Sequence, residues 1–206
     1  MLKILAIVSM LIDHIGRIFY PDAILFTIIG RLSFPLFCWS VVVGVDRTQN
    51  IQKYSLRVLY LALISQIPYS LLFDTHGLNV CFTLLFGILV IMLYRVPLNL
   101  YLKWIAIILL LVIPDLLSFD YGSYGVFTIL LLYLLRNKSE LLLISYTLLT
   151  ILSISMYHYE LIQLYAIMAI PIIIFLKNNH FNVNRFFNYS FYPAHLLLLL
   201  CIHAWV

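Results

Sequence analysis

Nine mostly apolar stretches of about 15–20 residues follow one another with only short polar connections, and this spacing restricts the fold more than any single motif. They fall at roughly 2–20, 23–44, 55–73, 80–95, 101–118, 122–136, 140–157, 160–177 and 188–205. A run of this length crosses the hydrocarbon of a bilayer as one α-helix, at 1.5 Å of rise per residue. With 65% hydrophobic and 10% charged residues among 206, the chain has too little polar surface to coat a soluble globule. The expected fold is all-α: a polytopic transmembrane bundle of about nine helices forming a single integral membrane domain over residues 1–206. The first stretch has the apolar look of a secretory signal. It carries Asp13, His14 and Arg17 and no small-residue cleavage site before Tyr20, and is read as a retained transmembrane helix.

The distribution of charge predicts the topology. Lys3, Arg47, Lys53, Arg57, Arg95, Lys103, Arg136, Lys138, Lys177 and Arg185 all fall at one set of alternating helix ends. By the positive-inside rule that set faces the cytoplasm, so the N-terminus is expected inside and the C-terminus outside. The opposite ends hold Asp22, Asp74, Asp115, Asp120 and Glu160. The ten basic residues at the first set of ends are ten of the 12 Lys and Arg in the chain. Read this way, the net charge of +4 is a topological signal and gives no support to nucleic-acid binding. Cys38, Cys81 and Cys201 are isolated within apolar runs, with no metal-ligand spacing, and are read as small hydrophobes.

The two basic residues outside that pattern are Arg17 and Arg31, which lie within the first and second apolar stretches, together with Asp13 and His14. An ionisable side chain in the hydrocarbon costs roughly 2.5–3.5 kcal/mol on insertion scales, so four of them in adjacent segments require a compensating use. If helix 1 runs outward and helix 2 returns, His14 lies roughly 9 Å and Arg31 roughly 12 Å below the same outer surface. The depths match. Asp13 and Arg17 are spaced i,i+4 and pair readily, whereas Asp13 and His14 diverge by about 100° around the axis. An orienting partner for His14 is therefore expected from another helix. Two readings stand: a neutral histidine acting as general base beside cations that stabilise a developing oxyanion, or a salt-bridged knot locking helices 1 and 2 together.

Further polar groups lie at compatible depths. His195 follows Tyr192 and Pro193 in a Leu-rich last helix, either as a functional group or as an interhelical hydrogen bond. Gln66, Asn79, Thr83, Asp120, Tyr121 and Tyr124 gather toward the outer ends, where they either line a pocket continuous with His14 or act as caps and interfacial aromatics. Pro35, Pro68 and Pro193 each free the carbonyl four residues earlier, those of Arg31, Ile64 and Tyr189. No P-loop, GxSxG, HExxH or dinucleotide fingerprint occurs, and no acidic metal cluster, so ATPase, serine lipase and zinc protease readings have no support.

Six segments, in order along nearly the whole chain, resemble the TraX family of membrane proteins. They are LKILAIVSMLIDHIG at 2–16, GRLSFPLF at 30–37, ALISQIPY at 62–69, LNVCFTL at 78–84, YGSYGV at 121–126 and FYPAHL at 191–196. The resemblance implies acetyl transfer, since the founding member is associated with N-terminal acetylation of a conjugative pilin. It also implies a relationship to the transmembrane acyltransferase superfamily, in which acetyl-CoA is presented from the cytoplasm and a histidine near the outer side serves transfer across the membrane. On that basis the chain is expected to be an acetyl-CoA-dependent N- or O-acetyltransferase of the bacterial inner membrane, acting without a metal on an extracytoplasmic protein or glycan. His14 and Arg31 would be the catalytic pair, supported by Asp13, Arg17, Gln66, Asn79, Tyr124 and His195, with basic residues of the cytoplasmic loops meeting the CoA phosphates. Two rivals remain, a small-solute transporter or channel and a non-catalytic scaffold for surface-appendage assembly. A chain of this length is short for a complete CoA tunnel.

Overall fold

The computed structural model describes residues 1–157, 159–179 and 184–205. The side chain of Arg185, expected at a basic helix end, lies outside what it describes, as do those of Phe186 and Asn188. Among the described residues the chain is helical: α1 (Leu2–Phe19), α2 (Ile24–Gly30), α3 (Ser33–Arg47), α4 (Ile51–Phe73), α5 (Val80–Arg95), α6 (Leu100–Leu116), α7 (Gly122–Leu135), α8 (Ser139–Tyr157), a 3₁₀ segment (Leu161–Met168), α9 (Ala169–Leu176) and α10 (Arg185–His203). Three of these helical stretches, Ile24–Arg47, Ile51–Phe73 and Ser139–Tyr157, are long and apolar enough to cross a membrane. Large apolar side chains such as Ile67, Leu71, Tyr101 and Phe175 point outward, as a lipid-facing surface requires. This is a membrane protein.

Asparagines start three of the helices. Asn50 accepts from Lys53 N at 2.8 Å, Asn79 from Cys81 N at 3.0 Å and Asn99 from Tyr101 N at 3.0 Å, each satisfying an amide left over at a helix N-terminus. The second apolar stretch, expected as one helix, is broken at Arg31–Leu32 into α2 and α3. Pro35 has no N–H to return to the Arg31 carbonyl, and Leu32 N closes a tight turn onto Ile29 O at 3.2 Å instead. The eighth stretch is likewise divided, into the 3₁₀ segment and α9.

Helix α1 packs against α2 and α3, α10 against α4, and α5 against both α4 and α7. The approach of α1 to α2 is close enough that a Cβ on Gly30 would lie 2.0 Å from Asp13 Oδ1. At the same end two loops are tied together: Leu78 N donates to Ser118 O at 3.1 Å, and Asp120 N to Leu78 O at 2.8 Å. Thr83 adds a hydroxyl bond to the Asp120 carbonyl. Tyr121, left-handed at φ 65°, then stacks on Phe34 with ring centroids 3.8 Å apart. These ties hold the loop before α7 against the charged part of α1.

Candidate functional site

His14 on α1 meets His195 on α10. His14 Nδ1 is 2.9 Å from His195 Nε2, and the rings lie nearly parallel, 17° apart. His195 is buried, and its other nitrogen, Nδ1, lies 3.0 Å from the Phe191 carbonyl. A carbonyl only accepts, so His195 Nδ1 carries the proton and its Nε2 has the lone pair. His14 Nδ1 is then the donor between the rings, and the free lone pair of neutral His14 is on Nε2. Phe73 closes on the His14 ring edge-to-face at 5.0 Å. Two histidines 181 residues apart in sequence thus fix one tautomer of His14.

Helical geometry distributes the remaining charges as their spacing requires. Asp13 and Arg17 form an ion pair at 2.8 Å one turn apart on α1, with Asp13 buried and Arg17 partly exposed. Asp13 Oδ1, against Gly30, has no hydrogen-bond partner, and neither does the buried Nε of Arg31. Arg17 and Arg31 both act electrostatically on Asp120. Burial pushes the Asp120 carboxyl up to about 6, and the two guanidiniums pull it the other way.

His14, Asp13 and Arg17 line a cavity of about 40 Å³. Phe34, Tyr69, Phe73 and Tyr121 give it a largely aromatic lining, to which Asp120 also contributes. Arg31 is not among the lining residues; it sits at the break between α2 and α3. A second cavity, of about 460 Å³, runs along α1, α3, α4 and α10 toward the opposite end of the bundle. Lys3, Arg47, Arg57 and Lys177 line its basic end, where Arg57 Nε donates to Tyr189 Oη at 3.2 Å. The two cavities share four wall residues, Met10, Phe37, Val80 and Tyr192.

Of the residues singled out in the sequence, the fold brings His14, His195, Asp13, Arg17, Asp120 and Tyr121 to one place. Gln66, Asn79 and Tyr124 do not line the His14 cavity. Asn79, fully buried, donates to Ala62 O at 2.8 Å and to Gln66 Oε1 at 2.9 Å, while Gln66 Nε2 reaches Ser70 Oγ and Gly77 O, both at 2.9 Å. This pair ties α4 to the start of α5. Tyr124 Oη lies 3.0 Å from Tyr146 Oη in a separate buried group that includes Thr150 and Gln163. Sequence reasoning passed over Tyr69, Phe73 and Phe37, which look like ordinary apolar helix faces; only the position of Tyr69 directly after Pro68 set it apart.

Residues 1–203 match the family model described as TraX protein. The chain belongs to the TraX family. Among curated proteins, this TraX-family chain is 34% identical over 147 residues to the probable fimbrial assembly protein FimC, serogroup H1, of Dichelobacter nodosus, covering 63% of this chain and 59% of that protein. It is also 36% identical over 73 residues to an uncharacterized protein of Rickettsia prowazekii (strain Madrid E), covering 35% of this chain and 27% of that protein. The chain thus spans about three-fifths or less of the length of these curated relatives. No solved structure matches it.

Proposed function

We propose that this TraX-family protein is a membrane-embedded acetyltransferase that takes an acetyl group from cytoplasmic acetyl-CoA and delivers it to an acceptor amine or hydroxyl on the outer side. In this reading the helical segments group into nine crossings of the bacterial inner membrane, with α2 and α3 forming one and the 3₁₀ segment with α9 another. The N-terminus is inside and the C-terminus outside. The observation that carries the reading is the pair of cavities sharing Met10, Phe37, Val80 and Tyr192: one has a basic end, and the other holds a histidine of fixed tautomer.

The basic end suits a phosphorylated donor. Lys3, Arg47, Arg57 and Lys177 would hold its phosphates through charge-assisted bonds, and the apolar walls beyond them would take a narrow arm. His14 Nε2 accepts the proton of the acceptor as its nitrogen or oxygen bonds to the carbonyl carbon. The carbon–sulfur bond then breaks, and CoA leaves as the thiol or thiolate. Charge developing on the carbonyl oxygen is offset by Arg17, which lines the cavity, and by Arg31 at the α2–α3 break. His195 keeps His14 in the tautomer able to act as base. The fimbrial-assembly name of the Dichelobacter relative supports a fimbrial or pilus subunit as the acceptor, with an envelope glycan as the alternative.

The test is to incubate the purified protein in lipid nanodiscs with labelled acetyl-CoA and envelope fractions, following CoA release and acetyl capture. His14→Ala protein, shown by its melting curve to be folded, is expected to lose transfer. Transfer at the wild-type rate in that variant refutes the reading. The fimbrial-assembly name also favours a second reading, a non-catalytic assembly factor, in which His14→Ala leaves assembly intact.

A further inference from the structure

We infer that Phe37 and Val80, where the two cavities meet, together with the stacked Phe34–Tyr121 wall beyond them, limit the transferred acyl group to two or three carbons. The inference rests on the acyl-transfer reading and adds a determinant of donor specificity to it.

The physical basis is the mismatch in size between the two spaces. The basic-ended cavity measures about 460 Å³, and the His14 cavity only about 40 Å³. A site needs roughly 10–15 Å³ of such space for one water-sized group, so the smaller cavity takes about three. An acetyl group has three non-hydrogen atoms. The surfaces they share come from four different helices: Met10 from α1, Phe37 from α3, Val80 from α5 and Tyr192 from α10. Met10 and Tyr192 are buried, whereas Phe37 and Val80 are only partly so. The latter two are therefore the walls whose size can change with the least disturbance to the surrounding packing.

The aromatic wall of the small cavity is stiff. Phe34 is buried and lies face to face with Tyr121, their planes 5° apart. Tyr121 is held in turn by the loop anchored through Asp120 and Leu78. A longer acyl chain threaded past Phe37 would have to displace that stacked pair, and close-packed interiors yield poorly to added methylenes. One methylene against a hydrophobic wall is worth about 10- to 200-fold in discrimination.

The experiment uses the full chain in nanodiscs with acetyl-, propionyl-, butyryl- and hexanoyl-CoA. Free CoA is quantified by mass spectrometry, and donor binding is followed by the shift in melting temperature. Wild-type protein is expected to release CoA from acetyl-CoA at least about 30-fold faster than from butyryl-CoA, with all four donors raising the melting temperature alike. Phe37→Ala should bring the two rates within about threefold, while Val80→Phe, which narrows the same place, should slow acetyl-CoA turnover without removing the melting shift. Equal wild-type rates on acetyl- and butyryl-CoA overturn the inference, as does an unchanged ratio in a folded Phe37→Ala protein that still releases CoA. If wild-type protein releases no CoA from any donor and none shifts its melting temperature, the acyl-transfer reading itself fails, and the inference with it.

Discussion

His14 Nδ1 donates to His195 Nε2 across 2.9 Å, and the proton direction is set by the Phe191 carbonyl, 3.0 Å from His195 Nδ1. The Phe191 carbonyl governs which nitrogen of a residue on a different helix is basic. His195→Ala is predicted to lower the transfer rate about 10-fold, with little change in the KM for donor. His14→Ala should lower it by roughly 10²- to 10⁴-fold. His195→Gln, whose amide oxygen accepts the same proton from His14, should recover part of the loss. Steady-state kinetics with a pH profile check this, because loss of orientation alters the profile and a simple packing defect does not.

Gly30 has no room for a side chain. An alanine Cβ there would meet Asp13 Oδ1 at 2.0 Å, driving α1 and α2 apart or breaking the Asp13–Arg17 pair. Overpacking of this kind costs roughly 1–3 kcal/mol. Gly30→Ala is expected to lower the melting temperature in detergent, whereas Gly77→Ala, in the loop after α4, should lower it less.

Asp120 gives the protein a pH dependence. Its carboxyl is held at about 6 by burial, above the ordinary value of about 3.9, so the folded state binds that proton more tightly than the unfolded state does. Stability from this group is therefore fully present below about pH 4, is lost as pH rises to about 6, and is constant above. Asp120→Asn should remove this component. The expected result is that the difference in melting temperature between wild type and variant changes between pH 4 and 6 and is flat from 7 to 8. Parallel curves over the whole range would contradict it.

Asn79 caps α5 and bonds to Ala62 and Gln66, so its substitution is predicted to change stability and leave the chemistry in place. Asn79→Ala leaves the buried Ala62 carbonyl without its side-chain donor and should cost roughly 1–3 kcal/mol. The melting temperature falls while the pH profile of transfer and the donor KM hold, a combination that a residue touching substrate would not give.

Much of the site was legible because helix spacing is a local rule. The i,i+4 relation of Asp13 and Arg17 fixes their pairing, and the same rule required that the orienting partner of His14 come from elsewhere. Which helix supplies it is not a local property. His195 sits in a Leu-rich run that reads equally well as a packed histidine, and only the lateral arrangement of α1 beside α10 selects it. Gln66 and Tyr124 illustrate the converse. Their depth suited the His14 cavity, but rotation about their own helix axes turns them into separate hydrogen-bonded groups.

By itself, the sequence determined a helical membrane protein of the TraX type, since apolar length, loop length and the placement of basic residues each depend on nearest neighbours along the chain. It also marked Pro35 as freeing the Arg31 carbonyl, but that the helix breaks there was a tertiary outcome, since Pro68 and Pro193 lie inside unbroken helices. The tertiary structure alone decided which faces meet: the histidine pair, the stacked Phe34–Tyr121 wall, and the two cavities with Phe37 and Val80 between them. Those features depend on helix rotation and lateral order, which are set by the summed packing of many side chains and are not encoded in any one segment.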